Sequence, residues 1–145
     1  MLNKNIIRLG LLAAGAVNIG GVLFFSKIFT NTSLNAADPV LMGNVGLLLI
    51  MLWGLVYIAS AAIFNGGSLI GSGQQSVNIK WLAAAFVLEK LVYVASWLIW
   101  LGNNSLAALY QQDIFAGIFY SIYGPNDALF MLFFAWIFWV LHKQS

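Results

Sequence analysis

The sequence predicts an all-α integral membrane protein, a four-transmembrane-helix bundle that forms a single domain over residues 1–145. Three observations lead to this prediction. The chain is 62% hydrophobic and only 7% charged, whereas a soluble domain carries about 25% charged residues. Its apolar residues are concentrated in four segments, each long enough for the roughly 30 Å hydrocarbon core of a bilayer. Polar connections separate these segments, so we expect the lipid bilayer to surround most of the protein.

The first predicted span runs from about residue 6 to residue 29. It follows Lys4 and Arg8, as the apolar region of a secretory signal peptide also does. The apolar run of the usual signal peptide is about 7–15 residues long, and this one is longer, so we interpret it as a retained span. Small residues along one of its faces favour close helix packing. Asn18 lies on that face and is a candidate for lining a site.

The second predicted span runs from about residue 40 to residue 64. One of its faces carries Trp53, Tyr57 and Ser60. We interpret this face mainly as a packing surface, with Tyr57 as a candidate ligand contact. The connection over residues 65–78 is rich in Gly, Ser and Gln, and this composition is typical of a flexible linker.

The third predicted span, from residue 81 to residue 101, has its only charges, Glu89 and Lys90, near its centre. A charged side chain at that depth costs about 2.5–3.5 kcal/mol on insertion scales, while each Leu, Ile, Phe or Val returns about 0.3–0.6 kcal/mol. This helix would therefore insert only marginally by itself. Other parts of the folded protein must balance the two charges. Glu89 and Lys90 are for this reason the strongest indication of a functional site in the sequence.

On an ideal helix, the charges of this span flank an aromatic stripe. Glu89 and Tyr93 share a face, and Trp97 lies between Tyr93 and Lys90 around the helix. This face is too polar for lipid and is predicted to point into the bundle. An acid among aromatic rings suits an organic cation or a cationic transition state. Alternatively, the charges hold helices together, through a contact between Glu89 and Lys90 or a pairing of Lys90 with Asp127.

The fourth predicted span, from residue 114 to residue 141, contains the sequence Gly124-Pro125-Asn126-Asp127. Proline inside a helix costs about 3 kcal/mol and removes a backbone hydrogen bond. We therefore expect a kink or a break at Gly124-Pro125, and a single tilted helix is the alternative. Asp113 is expected to cap the start of this segment.

The position of Asp127 depends on which of these alternatives occurs. In a continuous helix Asp127 lies near the middle of the membrane, about level with Lys90. After a break it becomes an acid in a first helical turn, nearer the outer surface, where the helix dipole favours it. Tyr120 and Tyr123 lie about one turn away and are placed to form hydrogen bonds in the same pocket.

Basic residues are distributed unequally between the two ends of the predicted bundle. One end holds four of them, Lys4, Arg8, Lys80 and Lys143. The other end holds Lys27, together with Asp38 and Asp113. The positive-inside rule then predicts a multi-pass protein of a bacterial inner membrane, or an equivalent membrane, with both termini in the cytoplasm.

Several classes of function are excluded by composition. The chain has no cysteine, which excludes disulfides and thiolate metal ligands. Its one histidine, His142, lies near the C-terminus, so neither a His-rich metal centre nor a serine–histidine nucleophile is expected. No cofactor is predicted. The six basic residues are scattered singly and do not form a nucleic-acid-binding patch.

In size and number of spans, the chain is similar to the small multidrug-resistance transporters, which also place a glutamate with tryptophan and tyrosine in the membrane. In that family the acid lies in the first span. Here the first span carries Asn18, and the acid is Glu89 in the third span. The similarity therefore lies in the use of an acid among aromatic residues within the membrane, and no sequence motif is shared.

Three hypotheses of function follow from the sequence. The first is a protein that binds or transports a small apolar or cationic ligand, and a transport path would need a homo-oligomer because the chain is short. Its candidate ligand contacts are Glu89, Lys90, Tyr93, Trp97, Tyr123, Asp127, Asn18 and Tyr57. The second is a structural or accessory subunit whose charges pair internally. The third is a membrane enzyme that acts on a lipid-like substrate by acid–base catalysis, with no catalytic residue assigned.

Overall fold

The computed structural model describes residues 4–65 and 79–143, and within these ranges it contains helices and no strand. The helices are α1 (Lys4–Phe25), α2 (Thr32–Ala37), α3 (Asn44–Asn65), α4 (Lys80–Asn103), α5 (Leu106–Gln112) and α6 (Ile114–Lys143). The four long helices α1, α3, α4 and α6 are long and apolar enough to cross a membrane. The predicted all-helical fold with four candidate spans is thereby confirmed. The predicted linker lies almost wholly outside the described residues.

Helix α1 ends at Phe25, earlier than predicted, because the chain turns sharply beyond it. Residues 27–29 have φ angles of 50°, 55° and 65°, in the left-handed region that costs L-residues about 1–2 kcal/mol each. Hydrogen bonds hold this turn. Ser26 Oγ accepts from the Phe29 amide at 2.9 Å, and Asn31 Nδ2 donates to the Phe25 carbonyl at 3.0 Å. Asn31 Oδ1 also accepts from the Leu34 amide at the start of α2.

The four long helices form two tightly packed pairs, α1 with α3 and α4 with α6. Two glycines bring the backbones of the first pair close together, since a Cβ on Gly15 would lie 2.7 Å from the Gly54 carbonyl oxygen. The pairs meet where α1 contacts α6 and where rings of α3 reach α4. The ring of Tyr57 lies 4.8 Å from that of Phe86.

Two hydrophobic clusters fill the interior, one toward each end of the bundle. The first includes Leu11, Tyr57, Phe86 and Phe134. The second includes Val22, Ile50, Tyr93, Trp100 and Tyr120. On each of α1, α4 and α6, a buried polar residue falls between the two clusters in sequence. The fold therefore brings polar side chains from three helices together at the middle of the bundle.

Helix α6 is continuous from Ile114 to Lys143 and contains Pro125. The chain does not break into two helices there, which was one of the two predicted outcomes, and a kink stays a prediction. Pro125 is exposed on the outside of the bundle, whereas Gly124 is buried. The proline ring is therefore accommodated without displacing an interior side chain, and the glycine lets the Trp97 ring approach the helix backbone.

Asp113 links the start of α6 to the turn after α1. Its Oδ1 accepts from the Ala116 amide at 2.8 Å, as the predicted cap requires, and from Asn31 Nδ2 at 3.0 Å. Its Oδ2 forms an ion pair with Lys27. Burial raises the pKa of Asp113, but the hydrogen bonds from Lys27, the Ala116 amide and Asn31 together hold it below its ordinary value of 3.8.

We predict that Gly124→Ala lowers the free energy of unfolding by about 1–3 kcal/mol, the range expected for overpacking. A Cβ at this position would lie 2.0 Å from the Trp97 ring. The control is Gly20→Ala, because a Cβ on Gly20 meets no atom within 4 Å, and it should not lower stability. Titration of the purified protein from mild detergent into SDS measures both. Equal stabilities for the two variants would contradict the predicted contact.

We predict that the Asp113 contacts stabilise the protein above pH 3.8, the ordinary pKa of the group, and are lost as the pH falls through its lowered pKa. Asp113→Asn should cost about 1 kcal/mol near neutral pH, because it removes a negative charge from a helix N-terminus and a partly exposed ion pair. Unfolding of both proteins is followed from neutral pH to about pH 3. The wild type should lose more stability than the variant over this range, and parallel curves would refute the prediction.

Candidate functional site

Lys90 is the centre of a polar cluster in the middle of the bundle. Its Nζ lies 2.7 Å from Asp127 Oδ1 on α6 and 3.3 Å from Asn18 Oδ1 on α1. Its side chain is only 1% exposed. The ammonium is thus neutralised by one carboxylate and solvated by one amide, so the structure favours Asp127 as the main partner of Lys90.

Asn18 and Asn126 support this ion pair. Asn18 Nδ2 donates to the Ile50 carbonyl of α3 at 3.2 Å, which turns its Oδ1 toward Lys90. Asn126 Nδ2 lies 3.4 Å from Asp127 Oδ1. The rings of Tyr57 and Tyr93 lie 5.5 Å and 6.0 Å from Lys90 Nζ, at distances that permit cation–π attraction. Each of the four long helices therefore contributes to holding the ammonium.

Glu89 is held less completely than Asp127. Its Oε2 accepts a hydrogen bond of 2.5 Å from the Tyr57 hydroxyl. Its Oε1 lies 3.8 Å from Lys90 Nζ, beyond hydrogen-bonding distance, and has no hydrogen-bond partner among the described residues. Glu89 is nevertheless only 8% exposed. One carboxyl oxygen in the interior is thus left without the partner that buried polar atoms normally have.

A cavity of about 160 Å³ lies beside this cluster, between α1, α4 and α6. Its polar wall is formed by Asn18, Glu89, Lys90, Tyr123, Asn126 and Asp127. Aromatic rings of Phe25, Tyr93 and Phe119 form much of the remaining wall. The cavity therefore combines charge, hydrogen-bonding groups and aromatic surface in one volume.

Tyr123 provides a second unpartnered polar atom in this wall. Its hydroxyl has no hydrogen-bond partner among the described residues, although Tyr123 is only 7% exposed. Glu89 Oε1 and Tyr123 Oη belong to different helices, α4 and α6, and both residues line the same cavity. Two residues that line one cavity therefore each carry a polar atom without a partner among the described residues.

The cavity reaches the outer surface of the bundle between α1 and α6. Val17 on α1 and Ile122 on α6 both line it, yet they are 44% and 47% exposed. The two helices touch on either side of this opening. Gly10 lies against the Phe133 ring toward one end, and the rings of Phe25 and Phe119 lie 5.8 Å apart toward the other. In a bilayer this opening faces lipid rather than water.

Six of the sequence-predicted contacts line the cavity, namely Asn18, Glu89, Lys90, Tyr93, Tyr123 and Asp127. The structure places the other two behind it. Tyr57 holds Glu89 from the far side. Trp97 Nε1 donates to the Tyr120 carbonyl at 2.7 Å, and its ring packs on Gly124. Trp97 therefore joins α4 to α6.

Other wall residues were not found from the sequence, although helical spacing was available as a signal. Phe119, Ile122 and Asn126 follow one another at intervals of three and four residues and so share a face of α6. The expected interruption at Pro125 concealed this face, because a break there would place Asn126 on a different helix from Phe119 and Ile122.

Comparisons with known proteins do not assign this chain to a family. No protein-family model, no curated protein and no solved structure matches it. The inference of function therefore depends on the geometry of the cavity and its charges.

We predict strong energetic coupling between Lys90 and Asp127. Lys90→Met and Asp127→Asn should each cost about 3 kcal/mol of stability, because each leaves a buried group without its partner. The double variant should cost less than the sum, with a coupling of about 1–3 kcal/mol. SDS titration in mild detergent measures the four free energies of unfolding.

The matched control for this cycle combines Lys90→Met with Glu89→Gln. Its coupling should be smaller, since Lys90 Nζ lies 3.8 Å from Glu89 Oε1 but 2.7 Å from Asp127 Oδ1. Additive effects in the Lys90 and Asp127 cycle, within about 0.5 kcal/mol, would show that this contact does not hold the helices together.

Proposed function

We propose that this protein binds a small ligand within the membrane, in the cavity between α1, α4 and α6. The observation that carries the proposal is that two residues lining one cavity, Glu89 and Tyr123, each have a polar atom without a hydrogen-bond partner among the described residues. A buried polar group without a partner costs about 1–3 kcal/mol. A ligand that hydrogen-bonds to both groups offsets this cost, and protein packing alone does not.

The volume of the cavity limits the size of the bound group. An apolar protein cavity of about 150 Å³ holds a benzene molecule, and this cavity measures about 160 Å³. The part of the ligand inside the bundle is therefore about the size of one benzene ring. A longer apolar tail can extend between Val17 and Ile122 into lipid.

The polar residues divide into two roles under this proposal. Lys90, Asp127 and Asn18 hold α1, α4 and α6 around the cavity through mutual contacts. Glu89 and Tyr123 have unused hydrogen-bonding capacity and contact the ligand. The aromatic rings of the wall supply apolar contact and select for a flat or compact ligand body.

Transport would extend this proposal, because a transporter must first bind its ligand within the membrane. The opening described above leads to one side of the bundle, so translocation requires a second opening in another conformation or a second copy of the chain. Flux of a bound probe across liposomes containing the protein would test this extension.

A structural role is the second candidate, and the contacts of Lys90 favour it. The Lys90 ammonium is neutralised inside the chain by Asp127 and Asn18, as expected for a pair that holds helices together. A structural subunit has no need of the cavity, so filling the cavity should not change its stability or its assembly. The enzyme hypothesis stays a prediction that a turnover assay with candidate lipids would test.

We further propose that both termini face the cytoplasm, in a bacterial inner membrane or an equivalent membrane. The support is that Ile7, Ile79 and Leu141 belong to one buried cluster, so the segments that carry four basic residues lie at the same end of the bundle. Those residues are Lys4, Arg8, Lys80 and Lys143.

We predict that Gly21→Leu abolishes ligand binding and that Gly20→Leu does not. Gly21 lines the cavity, whereas Gly20 lies one residue away on the exposed face of α1, and a Cβ on either meets no atom within 4 Å. The two variants therefore add the same side chain to the same helix, and only the first fills the cavity.

Fluorine NMR of the protein in lipid nanodiscs checks this prediction with two probes, fluorobenzyl alcohol and fluorobenzylamine. Empty nanodiscs correct for partition of the probes into lipid. Saturable binding of at least one probe is expected for wild type and for Gly20→Leu, with a loss of at least about tenfold in Gly21→Leu. Absence of saturable binding to wild type, or equal binding by both variants, would refute the proposed function.

A further inference from the structure

The charges around the cavity do not balance. Among the described residues that line it, Glu89 and Asp127 carry carboxyl groups, and Lys90 carries the one ammonium. Lys90 is closely paired with Asp127. If both carboxyl groups are ionised, one negative charge remains in a medium of low dielectric, where it is strongly unfavourable. The site therefore has a place for one further positive charge.

Within residues 4–65 and 79–143, no neighbouring helix supplies that charge to Glu89. Helix α3 presents the Tyr57 hydroxyl, α4 presents Lys90 and the Tyr93 ring, α6 presents Asp127, and α1 presents the neutral amide of Asn18. Lys90 is the one cation among these groups, and it lies closer to Asp127 than to Glu89. A proton on Glu89 balances the charge when the cavity holds no cation.

The surroundings of Glu89 indicate which cation replaces this proton. Glu89 lines the cavity, and its Oε1 has no hydrogen-bond partner among the described residues. A rotation of this side chain would let its carboxyl group accept a charge-assisted hydrogen bond from an N–H group. The aromatic rings of Tyr93, Phe119 and Tyr123 line the same cavity, and such rings attract cations. A ligand that carries an ammonium group on a small apolar body matches both features.

The route to the cavity favours an amine over a permanent cation. The opening between Val17 and Ile122 faces lipid, where an ion is costly and a neutral amine is soluble. A neutral amine that reaches protonated Glu89 can take its proton. The O–H bond of the carboxylic acid breaks, an N–H bond forms, and an ammonium–carboxylate pair results, with no net charge brought into the membrane.

We propose that the ligand is a small lipophilic amine, which reaches the cavity from the bilayer between α1 and α6 and binds as an ammonium ion paired with Glu89. This inference rests on the proposed function and names its ligand class. Amine and proton compete for Glu89, while the Lys90–Asp127 pair remains intact.

The test compares fluorobenzylamine with fluorobenzyl alcohol, a neutral analogue of the same size, by fluorine NMR in nanodiscs. Wild type should bind the amine at least about tenfold more tightly than the alcohol, because a charge-assisted hydrogen bond is stronger than a neutral one. Glu89→Gln should bind the amine no better than the alcohol. Equal binding of both probes by wild type would overturn the amine assignment.

A further comparison uses wild type alone, so it does not depend on the folding of a variant. Trimethyl(fluorobenzyl)ammonium carries a permanent charge and has no N–H group, and it should bind at least about tenfold more weakly than fluorobenzylamine. Binding of the permanent cation as tightly as the amine would overturn the proposed proton transfer.

The pH dependence of binding provides an independent measurement. Fluorobenzylamine is mostly protonated in neutral water, so its binding to protonated Glu89 releases one proton. Its affinity should rise with pH wherever Glu89 is protonated in the empty site, by up to about tenfold per pH unit, while that of the alcohol does not rise. A constant affinity for the amine would overturn the competition between amine and proton.

The outcomes separate this inference from the proposed function. If both probes bind equally and Gly21→Leu removes both, a small-ligand site exists and the amine assignment is wrong. If neither probe binds saturably to wild type, the proposed function and the ligand class both fail.

Discussion

The burial of the Lys90 ammonium at the centre of the bundle is the constraint on which the rest of this structure depends. An isolated charge at that depth is costly, and the chain meets the cost with groups from every long helix. Asp127 supplies the opposite charge, Asn18 supplies an amide oxygen, and Tyr57 and Tyr93 supply rings. These contacts fix the relative rotation of the helices, because each requires one face of its helix to point inward. Apolar packing alone fixes the rotation of a helix less strictly, because an apolar face can pack against lipid tails as well as against another helix.

The same arrangement creates the cavity. Helices α1 and α6 both reach toward Lys90, but bulky contacts hold them together only toward their two ends, at Gly10 with Phe133 and at Phe25 with Phe119. Between these contacts, Gly21 on α1 and the short Asn126 on α6 leave a space that no side chain fills. An exclusively structural ion pair would be most stable if this space were packed. The wall residues Glu89 and Tyr123, whose polar atoms lack a partner among the described residues, add to that cost, and both observations support the proposal that the cavity binds a ligand.

Much of this architecture could be predicted from the sequence, and the rest depended on contacts that hydropathy does not encode. The four long helices followed from apolar segment length, and the inward position of Glu89 and Lys90 followed from the cost of exposing charge to lipid. Asp127 lies level with Lys90 because α6 is continuous. The sequence left a continuous helix and a helix broken at Pro125 as alternatives. The helices α2 and α5 were missed because they are short and depend on side-chain caps from Asn31 and Ser105. The position of Trp97 behind the cavity depends on its hydrogen bond to the Tyr120 carbonyl, which helical periodicity cannot anticipate.

The adjacent residues Glu89 and Lys90 have different partners, and this difference connects the fold with the proposed function. Lys90 donates hydrogen bonds to Asn18 on α1 and Asp127 on α6, whereas Glu89 accepts one from Tyr57 on α3 and retains one oxygen without a hydrogen-bond partner among the described residues. Neighbouring positions on a helix point about 100° apart, so one helix can present a structural charge and a ligand-binding charge at the same depth. A proton or a ligand can then exchange at Glu89 without breaking the Lys90–Asp127 pair. The stability of the bundle and the occupancy of the cavity are thereby separable, as a binding protein that must release its ligand requires.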